Sequence, residues 1–193
     1  MWYFLINLCY NKQVKTGDFM KKFLNSKMSN WFFSLLIFIL LILIIKFFIL
    51  EFDVVRVTNM NQTLDSGDIV MINKLNKLTG YIKKTDIVQY SNKNKTRKYI
   101  SRVIAMPKDS VEIVNDDIFV NGKKIYEPYV LSQRSKTLNN DKWILNDDEY
   151  FVINDDRELE KYNDSRYVGP IKKNAINGVV FFRLFPIDKL GSI

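Results

Sequence analysis

The segment from Trp31 to Leu50, WFFSLLIFILLILIIKFFIL, constrains this chain more than any other feature. It is twenty residues long and carries one charge, Lys46. A helix of that length rises about 30 Å, the thickness of a bilayer's hydrocarbon core. Lys46 lies within a turn of the far end, where its stem reaches the interface. A buried core helix is the alternative, but apolar character all round the cylinder favours the membrane. A cleaved leader fits less well, because the run is long for one and Ile49-Leu50-Glu51-Phe52-Asp53 offers no small-x-small site. Lys21, Lys22 and Lys27 precede the run and Glu51 and Asp53 follow it. That flank asymmetry places the N-terminus in the cytoplasm and the rest of the chain outside. The expected organisation is a basic cytoplasmic segment over 1–30, a single-pass transmembrane helix over 31–50, and an extracytoplasmic domain over 51–193. Residues 1–19 show no clear period, and Met20 or Met28 is the expected true start.

Charge and composition narrow the chemistry. The net charge is +8, and +5 of it sits in residues 1–50. A nucleic-acid footprint would need a basic stripe on the folded part instead. The chain has no histidine, and its one cysteine, Cys9, precedes the apolar run. A disulfide scaffold, a cysteine protease, a Ser-His-Asp triad and the usual zinc sites are therefore outside its reach. A hydrolase built from these residues must use a lysine or a carboxylate as its base. With seven glycines and no glycine-rich phosphate loop, no cofactor is expected either.

After Glu51 the pattern changes to short runs rich in Val, Ile, Tyr and Phe. Strands are predicted over Phe52–Thr58, Asp68–Lys74, Asp86–Ser91, Lys98–Ala105, Ser110–Val114, Asp117–Val120, Lys123–Tyr126, Tyr150–Asn154 and Gly178–Phe185. Asn121-Gly122 between two such runs signals a type I′ hairpin turn. No window beyond the apolar run sustains a 3.6-residue period, so the fold class is mainly β, an antiparallel domain behind one helix. The polar stretch from Ser132 to Asp148 reads as a surface loop.

Four ordered blocks carry a resemblance. The first is Asn59-Met60-Asn61-Gln62-Thr63-Leu64, with Gly67-Asp68 and Asn73-Lys74 after it. The second is Thr85-Asp86-Ile87-Val88. The third is YISRVIAMPKD from Tyr99 to Asp109, continuing through Asn121-Gly122-Lys123 and Glu127-Pro128-Tyr129. The fourth is Asn154-Asp155-Asp156-Arg157 through Asp164-Ser165-Arg166 and Gly169. Together they resemble the type I signal peptidases, whose patterns are Ser-Met-x-Pro-Thr-Leu, Gly-Asp-Ile-Val, a strand bearing a lysine, and Gly-Asp-Asn-Arg…Ser-x-Asp-Ser-Arg. The resemblance spans most of residues 52–186 and implies the β domain of that family.

The same resemblance implies a serine nucleophile and a desolvated lysine base, burial being what lowers the lysine pKa. Here the nucleophile position is Asn59, whose amide is no nucleophile, and the base position is Ser101, which cannot take a proton unaided. Lys98 and Arg102 stand at odd offsets from Ser101 on a strand and so face the other side. Thr58 and Thr63 are the nearest hydroxyls to position 59. Gln62 replaces the proline of the first block, and the serine that orients the lysine would fall at Glu160 or Tyr162. Glu160 is a minor candidate base, more simply a solvated charge. The resemblance makes Met60, Leu64, Tyr99 and Ile100 the lining of a pocket for small substrate side chains, each equally readable as core. It makes Asp155, Arg157, Asp164 and Arg166 a structural brace, which as an ion-pair network would persist without catalysis.

Three functions compete. One is an inactive, membrane-anchored homologue that binds signal or precursor peptides by strand addition, or pairs with an active paralogue. The second is an active endopeptidase removing signal peptides with an unusual nucleophile such as Ser165 or Ser101. The third is a single-pass cell-surface interaction module, which the ordered blocks disfavour. The expected partners are secretory precursors, a paralogue and the lipid bilayer, and no nucleic acid.

Overall fold

The computed structural model describes residues 27–56, 59–61, 63–91, 96–130, 132, 135, 141–157 and 164–193. The expectations for Cys9, Met20, Lys21, Lys22, Thr58, Gln62, Glu160 and Tyr162 lie outside them. The chain divides into two units, Met1–Phe47 and Phe48–Ile193.

In the first unit, helix α1 (Lys27–Ile44) carries exposed apolar side chains from Trp31 onward. Ser34, its one polar interruption there, donates its hydroxyl back to the Asn30 carbonyl at 2.9 Å. The α-helical geometry then gives way to a π turn, Ile45–Ile49. No helix among the described residues is long and apolar enough to cross a membrane. The uncharged α-helical part, Trp31 to Ile44, rises only about 21 Å. The expected span over 31–50 is thus divided. Strand pairing claims its end, because Leu50 faces Asn73 in a ladder and the Ile49 carbonyl accepts from the Lys74 N–H at 2.9 Å.

The second unit is mainly β, as the short Val/Ile-rich runs demand. Its strands are β1 (Leu50–Val54), β2 (Ile69–Asn73), β3 (Ile87–Ser91), β4 (Lys98–Ala105), β5 (Ser110–Val114), β6 (Asp117–Val120), β7 (Lys123–Lys124), β8 (Lys142–Ile144), β9 (Glu149–Ile153), β10 (Ile171–Lys172), β11 (Ile176–Phe185) and β12 (Gly191–Ser192). An antiparallel sheet runs β1-β2-β11-β3-β4-β9-β10, with β12 on β11, and a smaller one runs β7-β6-β5-β8. Two short helices, α2 (Leu75–Thr79) and α3 (Ser165–Val168), interrupt the strands.

Alternation decides the faces. In β2, Val70 and Ile72 are buried while Ile69 and Met71 are half-buried on the opposite side. Three apolar clusters result. The first joins the end of β4 to the small sheet, with Ile104 and Ala105 against Val111, Ile118, Trp143 and Phe151. The second gathers Val88, Tyr90, Val103, Val152 and Ile176 on one face of the large sheet. The third, on the other face, holds Val55, Met60, Leu64, Ile72, Ile87 and Ile100. Gly178 allows β11 to lie close to β2, since a Cβ there would stand 2.6 Å from the Asn73 carbonyl oxygen. Asn121 and Gly122 have φ of 53° and 75°, as a type I′ turn requires, and Val120 pairs with Lys123 across them.

The strands over Lys98–Ala105, Ser110–Val114 and Asp117–Val120 lie where the sequence places them. The segment read as a surface loop, Ser132 to Asp148, differs: it contains β8. Two side chains anchor it: Trp143 and Leu145 are buried in the first cluster, the Trp143 ring centroid 4.8 Å from that of Phe151. A three-residue apolar run, Trp143-Ile144-Leu145, in a polar stretch is too short to show a period.

Candidate active site

Three segments meet at the position where the resemblance implies a dyad. Asn59 sits in the turn after β1, Ser101 lies in β4 facing the second cluster, and Asn154 follows the last residue of β9. All three are buried. The Asn59 amide donates to the Ile100 carbonyl at 2.7 Å and to Asn154 Oδ1 at 2.9 Å. Ser101 donates its hydroxyl proton to the same Asn154 oxygen at 2.6 Å. Tyr90 OH lies 3.2 Å from Ser101 Oγ. Since the serine has one proton and gives it to Asn154, Tyr90 is the donor in that contact. Burial pushes the Tyr90 phenol above its ordinary pKa, so it keeps this proton.

The result is a directed chain of neutral groups: Tyr90 to Ser101 to Asn154, with Asn59 closing on Asn154 and on Ile100. The orientations follow from one another. The Ile100 carbonyl requires the nitrogen of Asn59, and that nitrogen requires the oxygen of Asn154. Among the described residues, Asn59 Oδ1 and Asn154 Nδ2 are left buried with no partner, at a cost of about 1–3 kcal/mol each.

The brace residues are buried and held by charge. Asp155 accepts from Arg102 Nε at 2.9 Å, from Arg102 NH2 at 2.6 Å and from Thr63 Oγ1 at 2.5 Å. Arg157 reaches Glu127 at 2.5 Å and Ser135 at 2.6 Å. Arg166 pairs with Asp164 at 2.7 Å and donates to the Arg157 carbonyl at 3.1 Å. Asp164 is also the N-cap of α3, accepting from Arg166 N, and it accepts the Asn154 N–H at 3.1 Å. That last bond ties the brace to the site.

Sequence reasoning set Arg102 aside as facing away from Ser101, and missed what it does on its own side. It binds Asp155 through two nitrogens, donates to the Thr85 carbonyl at 2.9 Å, and lies 3.9 Å above the Tyr129 ring. Thr63, read only as a nearby hydroxyl, bridges Arg102 and Asp155. Burial, then the carboxylate of Glu127, drives the Tyr129 phenol well above its usual pKa. Lys98 is exposed and paired with Glu51, far from the role of a buried base.

The expected pocket residues separate. Met60, Leu64 and Ile100 share the third cluster, whereas Tyr99 packs on the opposite face, its ring centroid 5.7 Å from that of Tyr90. A cavity of about 490 Å³ opens between Thr85, Arg102, Tyr126, Tyr129 and Phe181, and neither Asn59 nor Ser101 lines it. Ser165 is fully buried, its Oγ accepting the Val152 N–H at 2.9 Å. Among the described residues no cluster of three His, Cys, Asp or Glu is placed to hold a metal ion.

An antiparallel β domain whose dyad positions, third-block strand and acidic-basic brace converge in this way defines a protein of the signal peptidase class. The family model described as "Signal peptidase, peptidase S26" matches residues 28–185. Signal peptidase I P of Bacillus subtilis subsp. natto is 31% identical over 174 residues, covering 86% of this chain and 93% of its own. Signal peptidase I of Bacillus caldolyticus is 35% identical over 148 residues, covering 70% and 80%. Signal peptidase IB of Staphylococcus aureus is 32% identical over 151 residues, covering 70% and 78%. A crystal structure of a signal peptidase I from Enterococcus faecalis V583 aligns at 25% identity with a TM-score of 0.42, over 51% of this chain and 95% of that one. The chain belongs to the type I signal peptidase family.

Proposed function

We propose that this chain is a membrane-anchored, catalytically inactive member of its family that binds the extended main chain of secretory precursors. The observation that carries the inactive reading is the shared acceptor, Asn154 Oδ1, which takes the Asn59 amide at 2.9 Å and the Ser101 hydroxyl at 2.6 Å. Two neutral amides, a phenol that keeps its proton and a hydroxyl donating to an amide oxygen contain no base that could activate that hydroxyl. Loss of a nucleophile or base in a serine protease removes about 10⁶ of the rate, and removing both costs little more. The alternative nucleophiles are engaged: Ser101 points its proton at Asn154, and Ser165 is capped by a backbone N–H.

Two features support peptide binding. β1 stands at the edge of the large sheet, and among the described residues no strand pairs with Lys98–Ile100 on the side of β4 away from β3. An extended peptide added along such an edge pairs with its main-chain groups, the Ile100 carbonyl already accepting the Asn59 amide. Met60, Leu64 and Ile100 are buried together, so they back the wall of such a groove, and side-chain contact falls to Lys98 and Tyr99. Anchoring rests on the exposed apolar side chains from Trp31 to Ile45 and on the run that continues to Leu50. An active paralogue is the alternative partner.

The test uses the full chain in lipid vesicles with a precursor peptide bearing an Ala-x-Ala site and a photo-crosslinker. The expected result is crosslinks to Lys98–Ile100 and a peptide recovered intact. Crosslinks that avoid β4 altogether contradict peptide binding.

A further inference from the structure

We infer that Lys98, at the start of the unpaired edge of β4, anchors an acidic side chain of the bound peptide by exchanging its own partner, Glu51, for that side chain. This rests on the peptide-binding reading above and adds to it the charge that a preferred peptide carries. Lys98 is in this account a specificity residue, with no part in bond cleavage.

Alternation brings the two side chains together. Glu51, Asp53 and Val55 take alternate positions along β1 and the residue after it, and Lys98 and Ile100 take alternate positions along β4. Val55 and Ile100 share the third apolar cluster. Glu51 and Lys98 continue the same two rows past its apolar part, and there they meet as an ion pair between β1 and β4. Those are the two strands with open edges among the described residues.

The pair is one half of an unequal three. The Glu51 carboxylate also takes Lys74 at 3.0 Å, so one negative charge serves two ammonium groups. Burial raises the Glu51 carboxyl, but hydrogen bonds from Lys98 and Lys74 outweigh it and hold its pKa below the ordinary glutamate value. Lys74 is held beside β1 by the main chain: its N–H donates to the Ile49 carbonyl at 2.9 Å, and Asn73 before it pairs with Leu50. Lys98 has no such tie, because its strand is laddered to β3. Its side chain is 48% exposed against 29% for Lys74. Lys98 is therefore the partner that can leave, and Glu51 keeps a counter-charge when it does.

Asp53, the other carboxylate of β1, does not compete for it. Its Oδ2 accepts from Gln89 at 2.6 Å and its Oδ1 from the Val54 N–H at 2.9 Å. Gln89 is itself wholly buried and accepts from Asn177 at 3.1 Å. The Glu51, Lys74 and Lys98 group thus carries one positive charge in excess. A peptide carboxylate that takes Lys98 leaves Glu51 to Lys74, and every charge is then paired. A peptide lysine instead brings a third ammonium to one carboxylate. Lys98 stands two residues, about 7 Å, from Ile100, so the acidic position lies that far along the peptide from the residue set against Ile100.

The test compares precursor peptides with an Ala-x-Ala site in which one residue, moved stepwise along either side of that site, is Glu, Gln or Lys. Binding to the full chain in non-ionic detergent is read by fluorescence anisotropy. The expected result is a position at which Glu binds about two- to fivefold tighter than Gln, with Lys weaker than both. High salt shrinks that preference. Lys98→Arg retains it, Lys98→Gln abolishes it, Lys98→Glu reverses it in favour of the lysine peptide, and Glu51→Gln enlarges it. Equal affinity for the three residues at every position, or a Glu preference that survives Lys98→Gln, overturns the inference and leaves the peptide-binding reading standing. Failure of every peptide to bind overturns both.

Discussion

The brace and the dyad positions are neighbours, Asn154 preceding Asp155 and Ser101 preceding Arg102 in the chain, yet they are built from opposite materials. The brace consists of three buried ion pairs, Asp155 with Arg102, Arg157 with Glu127 and Asp164 with Arg166. The site beside it is neutral, made of two amides and two hydroxyls, with two polar atoms left unpartnered among the described residues. On the inactive reading proposed above, the difference says why the framework persists beside replaced dyad residues. Removing one partner of a buried ion pair strands a charge and costs about 3–5 kcal/mol. Exchanging one neutral hydrogen-bonding group for another costs about 1 kcal/mol. Single substitutions therefore erode the site long before they erode the brace.

The comparison breaks most sharply at Asp155. Asp155→Ala leaves the Arg102 guanidinium buried without its carboxylate and removes the acceptor of Thr63. It is expected to destabilise by about 3–5 kcal/mol in urea unfolding. A loss under 1 kcal/mol would show that the brace is not what holds this region. Arg157→Met is the next largest. It takes the guanidinium from Glu127, which keeps the Tyr129 hydroxyl, and replaces much of the apolar stem, so about 2–4 kcal/mol is expected, read from the same unfolding curve.

Within the neutral site the scale drops. Asn59→Ala frees the Ile100 carbonyl but also deletes an unpartnered oxygen, so about 1 kcal/mol is expected. A cost equal to that of Asp155→Ala would erase the contrast between the two regions. The smallest effect lies at the surface. Burial pushes the Asp109 carboxyl up, but hydrogen bonds from Lys84, the Met106 N–H and Asn121 outweigh it and hold its pKa below the ordinary aspartate value. A depressed carboxyl contributes stability that is complete above the unfolded value and lost as pH falls through the folded one. Asp109→Asn should flatten the acid limb of the stability profile below about pH 4 and change little at pH 7. Because Lys84 is exposed, the effect is a few tenths of a kcal/mol.

Much of this was written in the chain. Alternation in β2, β5 and β6 and the Asn121-Gly122 turn fix their own geometry locally, so their period and composition suffice. The brace residues were legible as a set because their blocks stand in order. Their pairing was not. Period-two reasoning says which face of β4 Arg102 occupies, but not that Asp155, far along the chain, reaches that face too. β8 escaped because its anchors, Trp143 and Leu145, stand in a three-residue apolar run within a polar stretch, too short to show a period. Asn154 was visible only as a letter in the fourth block, and its meaning depends on the 2.6 Å and 2.9 Å contacts that folding creates. The apolar run raised the opposite difficulty: its composition asks for a helix throughout, while β2 takes its last residue into a strand.

The central claim is that the site performs no hydrolysis. The most direct measurement is turnover of a secretory precursor with an Ala-x-Ala site by the full chain in lipid vesicles, followed for many hours at neutral pH. The account predicts no product above the protein-free control, with wild type, Ser101→Ala and Ser165→Ala indistinguishable. Cleavage at the Ala-x-Ala site that vanishes with either serine variant would contradict it.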